Sequence, residues 1–351
     1  MNINLPLQTI LAVMPDVRMC TAGESLIVQA IKPLEYATAN DLSVVFDVGN
    51  ASVFDPVSLK AVEASSAGAV LSSVDVPGKP VILVGDVVNA YSALIAYVKQ
   101  HEQATPAQVA ASAVVHATAV VAEGAVIGDG AMIDALAYVG KRAKIGNRVH
   151  LHPGAKVLDD CVVDDDSIIQ SNAVIGSDGY GYQVTRRGMR RLPHVGSVCI
   201  GKGVEIGANC MVDRALFSQT TIGDGAKLDN GVHVAHNVQI GPHTAILAQT
   251  GIAGSAKIGM GCQIGGQVAI KDHVTIGDGA KIVSKSAVMH DVAPGQTVCG
   301  IPAIPFTQWK RMTVALAKVP DLLKLAKEHT NQAGVMPAQK VKQWWHRVFG
   351  A

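Results

Sequence analysis

The chain carries twelve histidines, and histidine is the side chain whose unperturbed pKa lies nearest neutrality. The stretch LDNGVHVAHN (228–237) sets Asp229, His233 and His236 within eight residues, and further on come Gly254 in IAGS and His273 in IKDH. No serine or cysteine nucleophile sits in a recognisable motif, no glycine loop precedes a helix in the manner of a phosphate cradle, and no acidic cluster suggests a metal. A lone histidine base suffices when the electrophile arrives already activated, as a thioester, and the nucleophile is an amine or hydroxyl that needs only deprotonation. A nearby backbone N–H could hold the developing oxyanion. Direct acyl transfer fits these parts best. His116, His150 and His152, scattered earlier in the chain, are read as incidental.

The elements that must position these residues are visible as a six-residue period. From Ile222 to Ala293 each unit opens with Ile, Leu or Val and carries a small residue four positions later, a pattern only a fixed-period solenoid has reason to keep. The large first and small fifth positions point into a narrow core, and Gly, Asn and Asp at positions two to four supply the turns. Three such sides close a triangular coil of 18 residues, and coils stack at roughly 4.8 Å, the spacing of neighbouring strands. Residues 18 apart therefore lie above one another. Position 236 lies beneath Gly254, and 254 beneath 272, one residue before His273. A base, an open glycine backbone and a second imidazole thus share one corner, with the imidazoles roughly 10 Å apart.

The period runs without slip from Val109 to Tyr180, breaks at a loop (181–198) with five basic residues, Arg186, Arg187, Arg190, Arg191 and His194, shifts by four residues around Leu216, and resumes from Ile222. The 27 clear hexapeptides make nine coils. Open ends of such a prism expose strand edges and core. A module without the period, 1–104, is expected to cover one end; strands over 68–73 and 80–86 and helices over 58–65 and 90–101 make it α/β. Its Phe46 and Phe54 flank a turn containing Asn50, open to two readings, a place to stack a planar base or ordinary core. The repeats fill 105–299, and a helical tail, 300–351, is expected to cover the other end. There Trp309, Met312, Leu316, Val319, Leu323 and Ala326 form a helical stripe, which Pro320 should divide into two helices. A further segment carries Val341, Trp344, Trp345 and Val348 on one face. From residue 305 onward eight Lys or Arg face only Asp321 and Glu328, so the near-neutral total of +1 hides a basic tail able to attract an acidic partner.

Composition agrees with a folded, turn-rich chain: 49% hydrophobic, 16% charged, 35 glycines and only 4% aromatic, as a thin aliphatic core requires. No apolar run is long enough to span a bilayer and no basic-then-apolar signal opens the chain, so a cytoplasmic location is expected. The six cysteines show no zinc spacing; Cys161, Cys210 and Cys262 fall on fifth positions, as small core residues in a reducing compartment.

The pieces IGSDGYGY (175–182), VEIGANCMVDRALFSQTTIG (204–223), LDNGVHVAHNVQIG (228–241), GIAGSAKIG (251–259), GGQVAIKDHVTIGD (265–278) and GIPAIPFTQWKR (300–311) resemble UDP-3-O-(3-hydroxyacyl)glucosamine N-acyltransferases of lipid A biosynthesis. The resemblance covers roughly 105–330. It implies a mainly β fold, a left-handed parallel β-helix, assembled as a homotrimer with active sites between subunits and fed by acyl carrier protein. It implies no cofactor beyond the carrier's phosphopantetheine, no metal and no nucleic acid, and at most transient contact with a membrane surface. By motif, His236 takes the role of general base on the glucosamine 2-amine, Asp229 orients or polarises it, Gly254 supplies the oxyanion N–H and His273 assists binding or the transition state. Asn237 falls among the substrate-binding positions. The basic tail becomes a dock for the acidic carrier, and Ala287 lies where such enzymes gauge the acyl chain. The family's uracil-binding Phe, Asn and Tyr are spaced by threes; Phe46, Asn50 and Phe54 here are spaced by fours. Three alternatives are set against this reading: a hexapeptide acyltransferase on another nucleotide sugar; a γ-class carbonic anhydrase, for which His233, His236 and His273 have the wrong phase; and a non-catalytic β-helix scaffold.

Overall fold

The computed structural model describes residues 1–46, 56–76, 78–185 and 188–332. Asn50 and Phe54 lie outside them, as do Val341, Trp344, Trp345 and Val348.

Three sheets of nine, eleven and nine strands, parallel except for the last strand of the second, form the faces of a prism, a parallel β-helix. Its register is the 18-residue rule made visible: Val126 pairs with Lys144 and Ile127 with Ile145. First and fifth positions are inside, as Ile133 (1% exposed), Ala137, Val139 and Ala143 (all 0%) illustrate, and Cys161, Cys210 and Cys262 are buried fifth-position thiols. The coils turn through a left-handed residue at the fourth position. Glycine and asparagine supply it in places, but so do Leu136 (φ 59°), Arg142 (55°) and His273 (58°). The stacked hydrogen bonds on both sides over-determine these turns and hold side chains in a conformation they would otherwise avoid.

The period's two breaks are built in as insertions. Across the basic loop Val162 pairs with Cys199, the extra length projecting as a hairpin of Tyr182–Thr185 and Gly188–Arg191. Across the slip at Leu216, Met211 pairs with His233. Nine coils are extended by a partial tenth: Val292 bridges Ile276, and Thr297–Cys299 pairs with Lys281–Ile282 and, antiparallel, with Ile304–Pro305.

The first module is a six-stranded sheet whose four central strands, Ile27–Ile31, Asp41–Val44, Ala69–Ser72 and Val81–Val84, run parallel. Helices Leu7–Val13, Pro56–Ala64 and Val87–Gln100 accompany it. The last is capped by Asp86, whose carboxylate accepts the Asn89 N–H at 2.9 Å, an N-cap typically worth about 1 kcal/mol. The module does not close the end of the prism. Val109 and Val115, first-position residues of the opening coil, stay 47% and 36% exposed. Instead the module docks on the flank: Phe46, Val195 and Phe217 pack on its core, the Tyr91 hydroxyl donates to the Pro193 carbonyl at 2.9 Å, and Arg190 pairs with Asp86 at 2.7 Å. The loop inserted at 181–198 is what makes that docking possible, because it carries apolar and basic groups out to meet the module.

At the other end Trp309 lies against Gly300, where an added Cβ would meet its ring at 2.7 Å. The tail is one helix, Phe306–Gln332, with Pro320 inside it, not two. Proline removes the bond to the Leu316 carbonyl, but Leu316 is 66% exposed and water can satisfy that oxygen. The apolar stripe is uncovered within the chain, Leu323 being 58% exposed. No described helix is long and apolar enough to cross a membrane.

Candidate active site

His236 stands on the turn after His233–Val234, on the third face. The next coil rests on it, the Ser255 N–H donating to the His236 carbonyl at 3.0 Å, and the coil after on that, the His273 N–H donating to the Gly254 carbonyl at 3.1 Å. Asn237, Ser255 and His273 hold the left-handed position of successive coils, so His273 is one place out of phase with His236, as the 18-residue count requires.

The half-buried His236 ring is held between two glycines. A Cβ on Gly254 would lie 2.7 Å from its Cε1 and 2.8 Å from its Nε2; one on Gly179 would lie 2.8 Å from its Cβ and Cδ2. A side chain at either place would push the imidazole from this position. Its Nδ1 meets Asn237 Oδ1 at 3.1 Å. That oxygen also accepts the Leu216 N–H at 3.2 Å, while Asn237 Nδ2 donates to Ser218 Oγ at 3.1 Å. The amide orientation is thereby fixed, Oδ1 can only accept, and Nδ1 of a neutral His236 must carry the proton. Nε2 keeps its lone pair, on the Gly254 side. Residues 215–218, the slip in the period, supply both partners that set Asn237.

The Gly254 N–H is open: among the described residues no acceptor within the chain takes it. At some other corners the equivalent N–H is capped from the coil above, Asn147 by Asp165 and Met260 by Asp278, each at 2.8 Å.

Asp229 stands at a different corner, after Lys227–Leu228. Its carboxylate accepts the N–H groups of Asn230 (2.7 Å) and Ala248 (3.2 Å). Within one chain it serves that turn. Phe46 stacks on Phe217 (centroids 6.1 Å, planes 4° apart) and meets Tyr91 edge-on at 5.5 Å, beside the residues that set Asn237. His273 is exposed.

Sequence reasoning missed two neighbours. His194, counted with the basic loop, is 2% exposed and lies edge-on to His236 at 5.7 Å between centroids. Burial holds its pKa below the ordinary value, and its Nδ1 is 3.0 Å from the Leu192 carbonyl, so it is a neutral wall and not a positive charge. Arg190 and Arg191 are likewise committed, to Asp86 and Asp178. The buried Asp213 accepts from Ser177 Oγ at 2.7 Å and from His233 Nε2 at 3.0 Å, and this bond raises the His233 pKa. His233, His236 and His273 do not converge. Among the described residues the one grouping of three metal-capable side chains is Asp134, His150 and His152, at another corner.

The six-residue repeats are also found by comparison: the family model for "bacterial transferase hexapeptide (six repeats)" matches residues 142–177 and 219–254. The motif resemblance is also found among relatives. The chain is 52% identical over 143 residues to UDP-3-O-acylglucosamine N-acyltransferase of Rhizobium meliloti (strain 1021), 40% of each chain. It is 39% identical over 153 residues to that of Methylobacterium nodulans, 44% of each. The matches span less than half the length of these relatives. Among solved structures, UDP-N-acetylglucosamine acyltransferase from Campylobacter jejuni is 28% identical with a TM-score of 0.46, over 56% of this chain and 73% of that one.

Proposed function

We propose that the protein is a cytoplasmic N-acyltransferase of lipid A biosynthesis that moves a 3-hydroxyacyl group from acyl carrier protein to the 2-amine of UDP-3-O-(3-hydroxyacyl)glucosamine. The observation that carries this reading is the His236 imidazole, tautomer-fixed by Asn237 and seated against Gly254, whose N–H is open. Nε2 takes a proton from the 2-amine as its nitrogen attacks the thioester carbonyl. The oxyanion accepts from the Gly254 N–H; on collapse the C–S bond breaks and the thiolate leaves with the proton from His236. General-base assistance of this kind contributes about 10²- to 10⁴-fold, and one well-placed oxyanion donor about 10²- to 10³-fold.

His273, two coils up, borders the same corner and would contact the donor or the transition state. Asp229 would reach a His236 only across a subunit boundary, which suits a homotrimer with sites between copies; the uncovered stripe on the tail helix suits the same assembly. Phe46, with Asn50 and Phe54, would hold uridine beside the slip, and the basic tail would dock the acidic carrier. Asn237 acts first as the residue that orients His236 and borders the sugar.

The test is mass-spectrometric detection of N-acylation when the purified protein meets UDP-3-O-acylglucosamine and a panel of 3-hydroxyacyl carrier proteins. Product is expected with wild type and a loss of about 10² to 10⁴ in turnover with His236→Ala. Full activity in that variant would sink the assignment of the base. No product with any donor, from folded protein, would point to another acceptor sugar.

A further inference from the structure

The 18-residue rule stacks Asp134 under His152, and His150 stands beside them on the strand His150–Leu151. Backbone bonds hold all three places: Asp134 N–H to the Leu151 carbonyl at 2.9 Å, His150 N–H to the Ser167 carbonyl at 3.0 Å and His152 N–H to the Ile169 carbonyl at 2.9 Å. Asp134 Oδ2 lies 2.8 Å from His150 Nε2 and 3.9 Å from His152 Nδ1. The two imidazoles stack, centroids 3.9 Å apart, and the three donor atoms lie within 4.8 Å of one another.

We infer that Asp134, His150 and His152 form a binding site for a divalent transition-metal ion of the zinc type. A histidine and a carboxylate alone make an ordinary ion pair. Here one carboxylate oxygen of Asp134 faces two imidazoles of the next coil, and both rings turn a nitrogen toward it. Bonds of about 2.0–2.2 Å in a tetrahedral site set neighbouring donors roughly 3.4 Å apart. The observed 2.8 and 3.9 Å bracket that spacing, so the donors need shifts of roughly half an ångström and the stacked rings, 27° apart in plane, must splay to aim both lone pairs at one ion. Two imidazoles and one carboxylate suit zinc and its borderline neighbours, whereas magnesium and calcium take oxygen donors. The side chains are 27–32% exposed, which leaves an entry path and room for water as a fourth ligand. The ion would tie two successive coils together at a corner remote in the stack from His236, so the inference is independent of the acyl-transfer reading.

The metal-free full chain is titrated with zinc sulfate by calorimetry, and cobalt is added in parallel to read the visible spectrum of a tetrahedral site. One equivalent per chain is expected, with affinity falling at least about tenfold in each of Asp134→Asn, His150→Gln and His152→Gln, removal of a ligand costing no less than loss of a ligand's supporting partner, and no site-specific equivalent in the triple variant. No stoichiometric binding, or binding that survives the triple variant, overturns the site. Should the triple variant not fold, anomalous scattering from zinc-soaked wild-type crystals decides: a peak among the three side chains supports the site, and peaks only elsewhere overturn it.

Discussion

Gly254→Ala separates the placement of His236 from every other property of the corner. The glycine does not occupy the left-handed region, so alanine brings no backbone strain, and the substitution keeps the N–H assigned to the oxyanion. What it adds is a methyl group 2.7 Å from His236 Cε1 and 2.8 Å from Nε2. Ordinary contact begins near 3.5 Å, so the ring must retreat by roughly 0.7–0.8 Å. Gly179 bounds it on the other side, so closely that a Cβ there would stand 2.8 Å from the ring's Cδ2, and the retreat is therefore a rotation that strains the bond to Asn237. Misplacement on the order of 1 Å costs about 10²-fold in rate. The expected result is turnover down about 10²-fold in the N-acylation assay, with the thermal midpoint within a few degrees of wild type. Retained turnover would refute the claim that this contact fixes the base; a collapsed thermal midpoint would show that the contact is structural.

Asn237→Ala should lower turnover roughly tenfold to a hundredfold by freeing the imidazole, and the nitrogen-15 shifts of His236 should change from a single Nδ1–H tautomer to a mixture. Leu151→Ala, at a fully buried first position, should cost about 2–5 kcal/mol in denaturant unfolding, whereas Val109→Ala, at a formally equivalent but 47% exposed position, should stay within about 0.5 kcal/mol. His233 and His194 should give opposite pH signs. The folded pKa of His233 is raised by Asp213, so its contribution is full below about pH 6.5 and fades as pH rises through the folded value; His233→Gln should destabilise more at pH 5.5 than at pH 8. The folded pKa of His194 is lowered by burial, so protonation of the unfolded chain erodes stability as pH falls below about 6.5, and His194→Gln should flatten that acid loss of the thermal midpoint.

The coil was legible because its physics is periodic. An inward Ile or Val followed by an inward Ala or Cys has one interpretation, and counting 18 residues predicted that His236 lies under Gly254 and that His273 is one place out of phase. The same count, applied to Asp134 and His152, would have found the metal-capable cluster; three histidines read one at a time hid it. What the count could not reach were contacts made by the aperiodic insertions. His194 reads as one more basic residue of a loop until the loop folds back and buries it against His236. The docking of the first module on the flank depends on Phe46, Tyr91 and Phe217, which are far apart in sequence and share no period. Pro320 misled for a simpler reason: a helix whose carbonyls face water tolerates a missing bond that a buried helix would not.

The insertions also explain why a site can exist on so regular a surface. Every corner of a β-helix offers the same turn, and at some corners the third-position N–H is capped from the coil above, as Asp165 caps Asn147 and Asp278 caps Met260. At the His236 corner the repeat fails in three linked ways. The four-residue slip brings the Leu216 N–H and the Ser218 hydroxyl onto Asn237, the basic loop brings His194 against the imidazole, and Gly179 and Gly254 leave the ring its space, Gly254 with an open N–H. Polarity that elsewhere stabilises the stack is here left available to a substrate. The chemistry follows from the departures from the repeat, and the repeat supplies the rigidity that makes departures of a few tenths of an ångström matter.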